Sequence, residues 1–208
     1  MHISLDSVQL GSGLGAALPA LSLDLDPGVP AVVTVETDER PLLVSMLLGG
    51  RLRPDSGRVL VDGRDDRDEL RRRVALVDTP VVAEPSPGVG LVGVVAEELT
   101  FAGLPASRGA VRAFLEQHEL LGYARVPMRS LPPGDRVRLF SELALLRPGV
   151  SGIVVTSPER HGGDPAGWYP ALAAIAARDI TVAIVTDAVT ATTLVSLGAI
   201  AATPAENS

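Results

Sequence analysis

The sequence predicts an α/β fold with a mainly parallel sheet, an N-terminal antiparallel β layer and a small helical subdomain. Three patterns support this prediction: polar–apolar alternation near the N-terminus, short β-branched runs separated by helical spacing, and one helix-rich stretch that lacks such runs. At 208 residues the chain is long enough to bury a substantial core. We therefore expect a single domain over residues 1–208.

The first two predicted strands belong to the antiparallel layer. Residues 3–10 and 21–26 alternate apolar and polar side chains, which is the pattern of strands with one buried face and one solvated face. Asp26-Pro27-Gly28 then marks a turn. Strands of this kind favour antiparallel pairing.

The third predicted strand has a different character. Residues 31–35 form a nearly continuous β-branched run, which is typical of a parallel strand covered on both faces. A helix is expected next, because Pro41 is tolerated in a first helical turn. Its apolar stripe consists of Leu42, Leu43, Met46 and Leu47. Gly49-Gly50 is expected to end it.

Four further apolar runs are separated by segments with helical spacing. They lie at residues 58–61, 74–77, 153–155 and 180–185. Their alternation with helices predicts that they join one α/β sheet. Residues 90–121 are rich in helical patterns, and linker signals lie on either side at residues 85–90 and 127–134. We expect a helical subdomain over roughly residues 90–130.

Composition excludes several classes of function. A net charge of −7 argues against nucleic-acid binding, which requires a basic face. The chain has no cysteine, which suits a reducing cytosol, and His2, His118 and His161 lack ligand-like spacing. No metal site is expected. The N-terminus has no basic signal region, and the uncharged residues 188–205 are too polar for a membrane span, so no direct membrane insertion is expected.

Residues 32–63 have the outline of a phosphate-binding strand, loop and helix without the phosphate-binding chemistry. A P-loop reads G-x-x-x-x-G-K-[ST], in which backbone amides, a lysine and a hydroxyl hold phosphate and Mg²⁺. Here the loop contains Glu36, Asp38, Glu39, Arg40, Pro41, Leu42 and Leu43. No lysine elsewhere can substitute, because all 18 basic residues are arginine. Arg40 is either a surrogate for the lysine or a helix-end partner of Glu36 or Glu39.

Four further landmarks lie in order along the chain. Residues 53–59 read RPDSGRV and are followed by Asp62-Gly63, and residues 131–139 read LPPGDRVRL, with a helix expected to follow. Residues 153–158 read IVVTSP, with Asp164-Pro165 shortly after, and residues 182–187 read VAIVTD. In this order the segments resemble the P-x-S-G-x-V…dG segment, the L-S-G-G-Q signature, Walker B with the D-loop, and the strand ending in T-H-D of the ATP-binding-cassette (ABC) transporter ATPases, which are P-loop NTPases. The resemblance covers about residues 1–190.

The resemblance implies a site whose functional residues are replaced. Thr156 and Ser157 stand for the Walker B aspartate and the catalytic glutamate, and Asp187 stands for the switch histidine. Asp78 or Thr79 stands for the Q-loop glutamine. The degenerate P-loop comprises Asp38, Glu39, Arg40, Pro41, Leu42 and Leu43, and the degenerate signature comprises Leu131, Pro132, Pro133, Gly134 and Asp135. No catalytic residue is expected.

Several residues also have a simpler interpretation. Asp78 suits a cap or turn at a strand end, and Glu159 is expected to be a solvent-exposed glutamate one position out of register. No aromatic residue precedes Phe101, so the ring that stacks on adenine in the family is missing. The 71–73 arginine run follows several acidic residues and is expected to be a solvated helix face.

The resemblance implies three candidate functions. The first is a degenerate ABC ATP-binding subunit that docks to or regulates a membrane-embedded transporter subunit or an active ABC ATPase paralogue, at the cytoplasmic face of the membrane and without a cofactor. The second is an ATPase that binds ATP and Mg²⁺ through Arg40, Asp78 and Glu159. The third is an interaction domain without a transporter. For the first, the helical stretch keeps the apolar residues expected beside the family's docking cleft: Leu91, Val94, Val95, Leu99, Phe101 and Leu104.

Overall fold

The computed structural model describes residues 1–35 and 39–202. Within these residues, three strands form an antiparallel sheet and five form a parallel sheet. The strands are β1 (Ile3–Leu10), β2 (Leu18–Leu25), β3 (Ala31–Thr34), β4 (Ser56–Val61), β5 (Val74–Val77), β6 (Gly152–Thr156), β7 (Thr181–Thr186) and β8 (Ile200–Ala201). The helices are α1 (Arg40–Leu48), α2 (Arg67–Arg73), α3 (Leu91–Phe101), α4 (Arg108–Gln117), α5 (Pro133–Leu145), α6 (Pro165–Ala176) and α7 (Ala188–Ser196). The predicted α/β class is confirmed.

The antiparallel sheet has the strand order β2-β1-β4. Ile3 pairs with Leu25 on one side and with Val61 on the other. The prediction that residues 58–61 join the parallel sheet is therefore wrong. In β4, Val59 and Val61 are buried while Leu60 is only partly buried, so this strand has one covered face and suits the antiparallel layer.

The parallel sheet has the strand order β5-β6-β7-β3-β8. All residues of β5, β6 and β7 are buried, which explains their continuous apolar sequences. One apolar cluster fills the space between this sheet, α1 and the antiparallel layer, and a second lies against α3, α4, α5, α6 and α7. The parallel sheet is thus covered on both faces.

The helical stretch predicted after β5 contains α3 and α4. Leu91, Val95, Val111 and Leu115 are buried in the same cluster as the inner face of α5. Ser107 begins α4 by accepting a hydrogen bond from the amide of Ala110, as an N-cap residue does. In the described ranges, no helix has the length and apolar character needed to cross a membrane.

Candidate functional site

The carboxyl ends of the parallel strands converge on a groove of about 380 Å³, which we call the strand-end groove. It is lined by Val35, Glu39, Pro41, Leu42, Pro80, Thr156, Ser157, Glu159, Arg160 and Asp187. In open α/β sheets, ligands bind at this end of the strands. Six of the predicted site residues line it together: Glu39, Pro41, Leu42, Thr156, Ser157 and Asp187. Glu36 and Asp38 lie outside the described residues.

A chain of neutral hydroxyl groups lies beneath the groove. Thr156 Oγ1 is 2.7 Å from Thr79 Oγ1 and donates to Ser45 Oγ at 2.8 Å. All three residues are buried. Where the family resemblance expects the Walker B carboxylate, the protein therefore has hydroxyl groups that hydrogen-bond to one another. Thr79, the second candidate for the Q-loop position, is one of these hydroxyl-bearing residues.

Ser157 and Asp187 both have structural partners at the groove. Ser157 has left-handed backbone angles, with φ of 44°, and its amide donates to the Val185 carbonyl at 2.8 Å. Asp187 caps α7 because its Oδ1 accepts a hydrogen bond of 2.7 Å from the Thr190 amide. Asp187 is exposed at the groove and places a carboxylate where the resemblance expects a switch histidine.

Glu159 is not the solvent-exposed residue that the sequence predicts. It is half-buried on the wall of the groove, and its Oε2 atom is buried without a hydrogen-bond partner in the described part of the chain. Burial raises the pKa of the Glu159 carboxyl, and the nearby charge of Asp187 adds to the increase. The turn of residues 158–161 brings it inward, since Pro158 itself is buried.

Arg160 lines the groove, but its guanidinium contacts oxygen atoms of the protein itself. Its guanidinium donates to the carbonyls of Thr156, Ser157 and Asp78. It also lies 3.3 Å from Asp78 Oδ1 and 3.5 Å from Glu84 Oε1. The position of this cation is thus fixed by five oxygen atoms of the chain.

Asp78 is the buried centre of an ion cluster, which we define as Asp78, Glu84, Arg136, Arg160 and His161. Arg136 makes two hydrogen bonds to Asp78, from Nε to Oδ2 at 2.6 Å and from Nη2 to Oδ1 at 2.7 Å. The two side chains are only 5% and 6% exposed. His161 Nε2 lies 2.9 Å from Asp78 Oδ2, although it is not aligned for a hydrogen bond. Asp78 lies at a bend directly after β5, with a φ of 50°, as the turn interpretation predicts, but its side chain forms this ion pair as well.

The charge of Asp78 is set by competing effects. Burial alone would raise its pKa, but contact with His161 and Arg136, together with the positive charges of Arg136 and Arg160, lowers the pKa of Asp78 overall. Arg136 was the residue that sequence reasoning missed. Its signal is a charged side chain on the buried stripe of α5, in line with Phe140 and Leu143.

The remaining P-loop positions lie around the start of α1. The Nε of Arg40 donates to the Ala17 carbonyl at 3.2 Å, so this guanidinium bridges α1 to the antiparallel layer. Among the described residues, the hydrogen-bond partner of Arg40 is this carbonyl and not Glu39. Leu43 lies on α1, outside the groove lining, and packs against the apolar cluster of the antiparallel layer.

The segment that resembles the signature begins α5. Leu131 is buried, and Pro132 precedes the helix, whose first residue is Pro133. A Cβ on Gly134 would lie 3.0 Å from the Gly167 carbonyl, so this glycine allows α5 and α6 to pack closely. Asp135 pairs with Arg138 at 3.0 Å. None of these residues lines the strand-end groove.

A second groove of about 300 Å³, the Phe101 groove, lies between the segment after β5 and helices α3 and α5. It is lined by Arg51, Leu76, Val82, Ala83, Glu84, Pro85, Val94, Glu97, Glu98, Phe101, Phe140 and Arg147. The Phe101 side chain is 64% exposed. Val81, which precedes the lining residue Val82 in the chain, is 94% exposed and has a φ of 64°, an unfavourable angle for a β-branched residue.

Known proteins resemble this chain in structure rather than in sequence. No family model and no curated protein matches the sequence. A Pyrococcus furiosus protein described as an ABC transporter ATP-binding protein superimposes with a TM-score of 0.65 at 11% identity, covering 90% of this chain and 92% of its own. A nucleotide-free ATP-binding cassette from an ABC transporter has a TM-score of 0.64 at 16% identity, covering 93% and 84%.

A third structure belongs to a described complex. CbiO1 of Clostridium perfringens, part of the ABC transporter complex CbiONQ, has a TM-score of 0.62 at 18% identity, and the match covers 89% of this chain and 78% of CbiO1. The order of strands and helices agrees with the four sequence landmarks along nearly the whole chain. The protein therefore has the fold of the ATP-binding cassettes of ABC transporters.

Proposed function

We propose that the chain is a non-hydrolysing subunit of a membrane transporter complex, with a degenerate ATP-binding site. The observation that carries the proposal is the charge of the strand-end groove. Its described lining contains the carboxylates of Glu39, Glu159 and Asp187, and its one cation, Arg160, is held by Asp78 and by backbone carbonyls.

Such a groove is unfavourable for a triphosphate. Two unit charges about 4 Å apart interact by about 4 kcal/mol in a partly screened protein site, so each carboxylate opposes the binding of phosphate. Mg²⁺ binding in nucleotide hydrolysis also depends on charged ligands. Thr156 and Ser157 supply hydroxyls instead, and the Thr156 hydroxyl is already engaged with Thr79 and Ser45.

The Phe101 groove supports a docking role. Exposed Phe101 and Val82 line this groove together, and exposed apolar surface of this kind marks interaction sites. CbiO1, which has the same fold, is part of a transporter complex. The partner we propose is a membrane-embedded transporter subunit or an active ABC ATPase paralogue, which would place the chain at the cytoplasmic face of the membrane.

Nucleotide binding tests the proposal. If Mg-ATP bound with a millimolar Kd, several millimolar ligand would stabilise the fold by about 1 kcal/mol and raise the melting temperature by a few degrees. We expect no such shift and no release of phosphate. A shift that Arg40→Ala abolishes and Arg58→Ala preserves, together with phosphate release, would instead establish the ATPase alternative.

A further inference from the structure

We propose that the free edge of β4 binds an extended peptide in which acidic and apolar side chains alternate. The site is a pocket of about 400 Å³, the β4-edge pocket, lined by side chains from residues 47–55, 57–59 and 65–70. It lies at the end of α1, whereas Pro41 and Leu42 at the start of that helix line the strand-end groove. The inference therefore does not rest on the proposed function, because neither of the two grooves takes part in it.

The backbone of β4 alternates between its two edges. The Asp62 amide donates to the His2 carbonyl at 2.9 Å, toward β1, whereas the Val61 amide donates to the Arg64 carbonyl at 2.8 Å on the opposite side. In antiparallel pairing, residues two apart direct their backbone groups to the same edge. The pairing with β1 is regular over this part of β4. The N–H and C=O groups of Val59 therefore point away from β1, to the edge that the strand order β2-β1-β4 leaves free.

These two backbone groups lack a partner. Val59 is only 6% exposed, and among residues 1–35 and 39–202 its amide and carbonyl have no hydrogen-bond partner outside β1. Arg64 covers the edge beside Val61, but the chain then enters α2, and Val59 lines the pocket instead. Buried backbone groups are normally paired. An added peptide strand supplies both the acceptor and the donor that Val59 needs.

Three arginines line the pocket, although the chain as a whole has a net charge of −7. Arg58 pairs with Asp6 of β1 at 3.0 Å. Arg53 and Arg67 have no carboxylate oxygen within 4.0 Å in the described part of the chain. A guanidinium presents N–H donors in a fork that matches a carboxylate, so these two arginines suit acidic side chains of a ligand.

Two aspartates belong to the same lining, so the three arginines exceed them by one charge. The Asp55 carboxylate already accepts a hydrogen bond of 2.7 Å from the Gly11 amide, and Asp65 is exposed just before α2. Arg71 adds positive charge beside the pocket, since its Cγ would lie 3.1 Å from a Cβ on the lining residue Gly50. This balance suits one or two carboxylates rather than a polyanion.

The inner wall of the pocket is apolar, because Leu47, Val59 and Leu70 are buried there. Successive side chains of a strand point to opposite faces. A peptide that alternates acidic and apolar residues therefore offers carboxylates to the arginines and apolar groups to this wall. A free anion fits less well, since it only accepts hydrogen bonds and leaves the Val59 carbonyl without a donor.

The test is a titration of the ¹⁵N-labelled full chain with acetyl-Glu-Val-Glu-Val-Glu-amide at constant ionic strength. We expect a millimolar Kd, a shift of the Val59 amide signal and slower hydrogen exchange of that amide. Arg53→Gln and Arg67→Gln should each weaken binding about threefold, as the loss of one exposed ion pair does. The matched control is Arg112→Gln, which changes an exposed arginine on α4 and should leave the Kd unchanged.

Two further probes separate the peptide from its charge. Acetyl-Lys-Val-Lys-Val-Lys-amide should bind more weakly, and glutarate, which has carboxylates but no peptide backbone, should bind more weakly and leave the exchange of the Val59 amide unchanged. Binding of glutarate as tight as that of the acidic peptide would make the pocket a small-anion site and overturn the proposal. So would equal binding of the lysine peptide, an unchanged Val59 amide with the acidic peptide, or equal weakening by Arg112→Gln.

Discussion

At the scale of single residues, the Asp78–Arg136 pair is the strongest determinant of the site's architecture. It joins the end of β5 to the first turn of α5, and the Arg136 guanidinium also lies 5.4 Å from the centre of the Phe140 ring. Removing one partner of a buried ion pair leaves an uncompensated charge, which costs about 3–5 kcal/mol. The pair therefore ties the end of β5 to α5.

Arg136→Met should accordingly destabilise the protein by about 3 kcal/mol, the lower end of that range, because Arg160 remains beside Asp78. The measurement is urea-induced unfolding at neutral pH. The matched control is Arg178→Met, which removes an exposed pair with Glu142 at 2.9 Å and should cost about 1 kcal/mol or less. Similar losses in the two variants would refute a special role for the buried pair.

The raised pKa of Glu159 predicts how the stability of the protein depends on pH. Because its pKa is raised in the folded protein, the unfolded chain releases this proton more readily, and stability falls as pH rises from the unfolded value of about 4.3 through the folded pKa. Glu159→Gln should therefore raise the unfolding free energy at pH 7, with the gain disappearing below about pH 4. Denaturant unfolding of both proteins across this range measures it, and a gain that persists at low pH would contradict the assignment.

Residue-level chemistry was the least predictable part from sequence. The substitutions within the motifs can be identified from the sequence, because each motif has a fixed place along the chain. The Asp78–Arg136 contact spans 58 positions, and the choice of Arg136 rather than Arg138 depends on which side of α5 faces β5. Glu159 was misjudged for a similar reason, since only the turn at Pro158 directs it inward.

At the scale of elements, the strand types were predictable where burial dictates composition. β3, β6 and β7 are covered on both faces, so their sequences are continuous apolar runs and were recognised. β4 was recognised as a strand but assigned to the wrong sheet, because its three-residue alternation is too short to distinguish the two cases. Its partner β1 lies about fifty residues away, and pairing over that distance leaves no local signal.

Gly57 gives a test of the β1–β4 junction. Its φ is 79°, and a Cβ there would lie 2.3 Å from the Ser7 carbonyl, at the irregular pairing between Asp6 and Gln9. Gly57→Ala should cost about 2 kcal/mol or more, from backbone strain together with this clash. Gly63→Ala is the matched control, because its φ is 76° but no atom lies within 4 Å of the new Cβ.

The control separates the two contributions. Strain from a left-handed backbone alone should cost Gly63→Ala about 1 kcal/mol, as measured by the shift in thermal unfolding midpoint. Equal losses at the two positions would show that the close approach of β1 contributes nothing. Gly57 of the P-D-S-G segment would then serve only the local turn, and it would have no role in the pairing of β1 with β4.

At the scale of the whole molecule, the two grooves lie on either side of the ion cluster. Arg160 lines the strand-end groove, Glu84 lines the Phe101 groove, and the two side chains meet at 3.5 Å. Fold and groove positions follow from the order of the elements, which the sequence landmarks already predict. The kind of ligand or partner that each groove can bind depends on the charge and burial of its side chains. These can be read only from the folded structure.

Docking through the Phe101 groove is the corresponding whole-molecule prediction. Burial of an aromatic side chain contributes about 1.5–3 kcal/mol, so Phe101→Ser should lower the affinity for the membrane-embedded partner at least tenfold. The measurement is co-purification of the tagged chain with the candidate transporter subunit from detergent-solubilised membranes. Leu14→Ser is the control, because Leu14 is a fully exposed apolar residue that lies between β1 and β2 of the antiparallel layer, so its loss should leave the complex intact. If Leu14→Ser weakened the complex as much as Phe101→Ser, association would reflect general surface hydrophobicity, and the Phe101 groove would lose its place as the docking site.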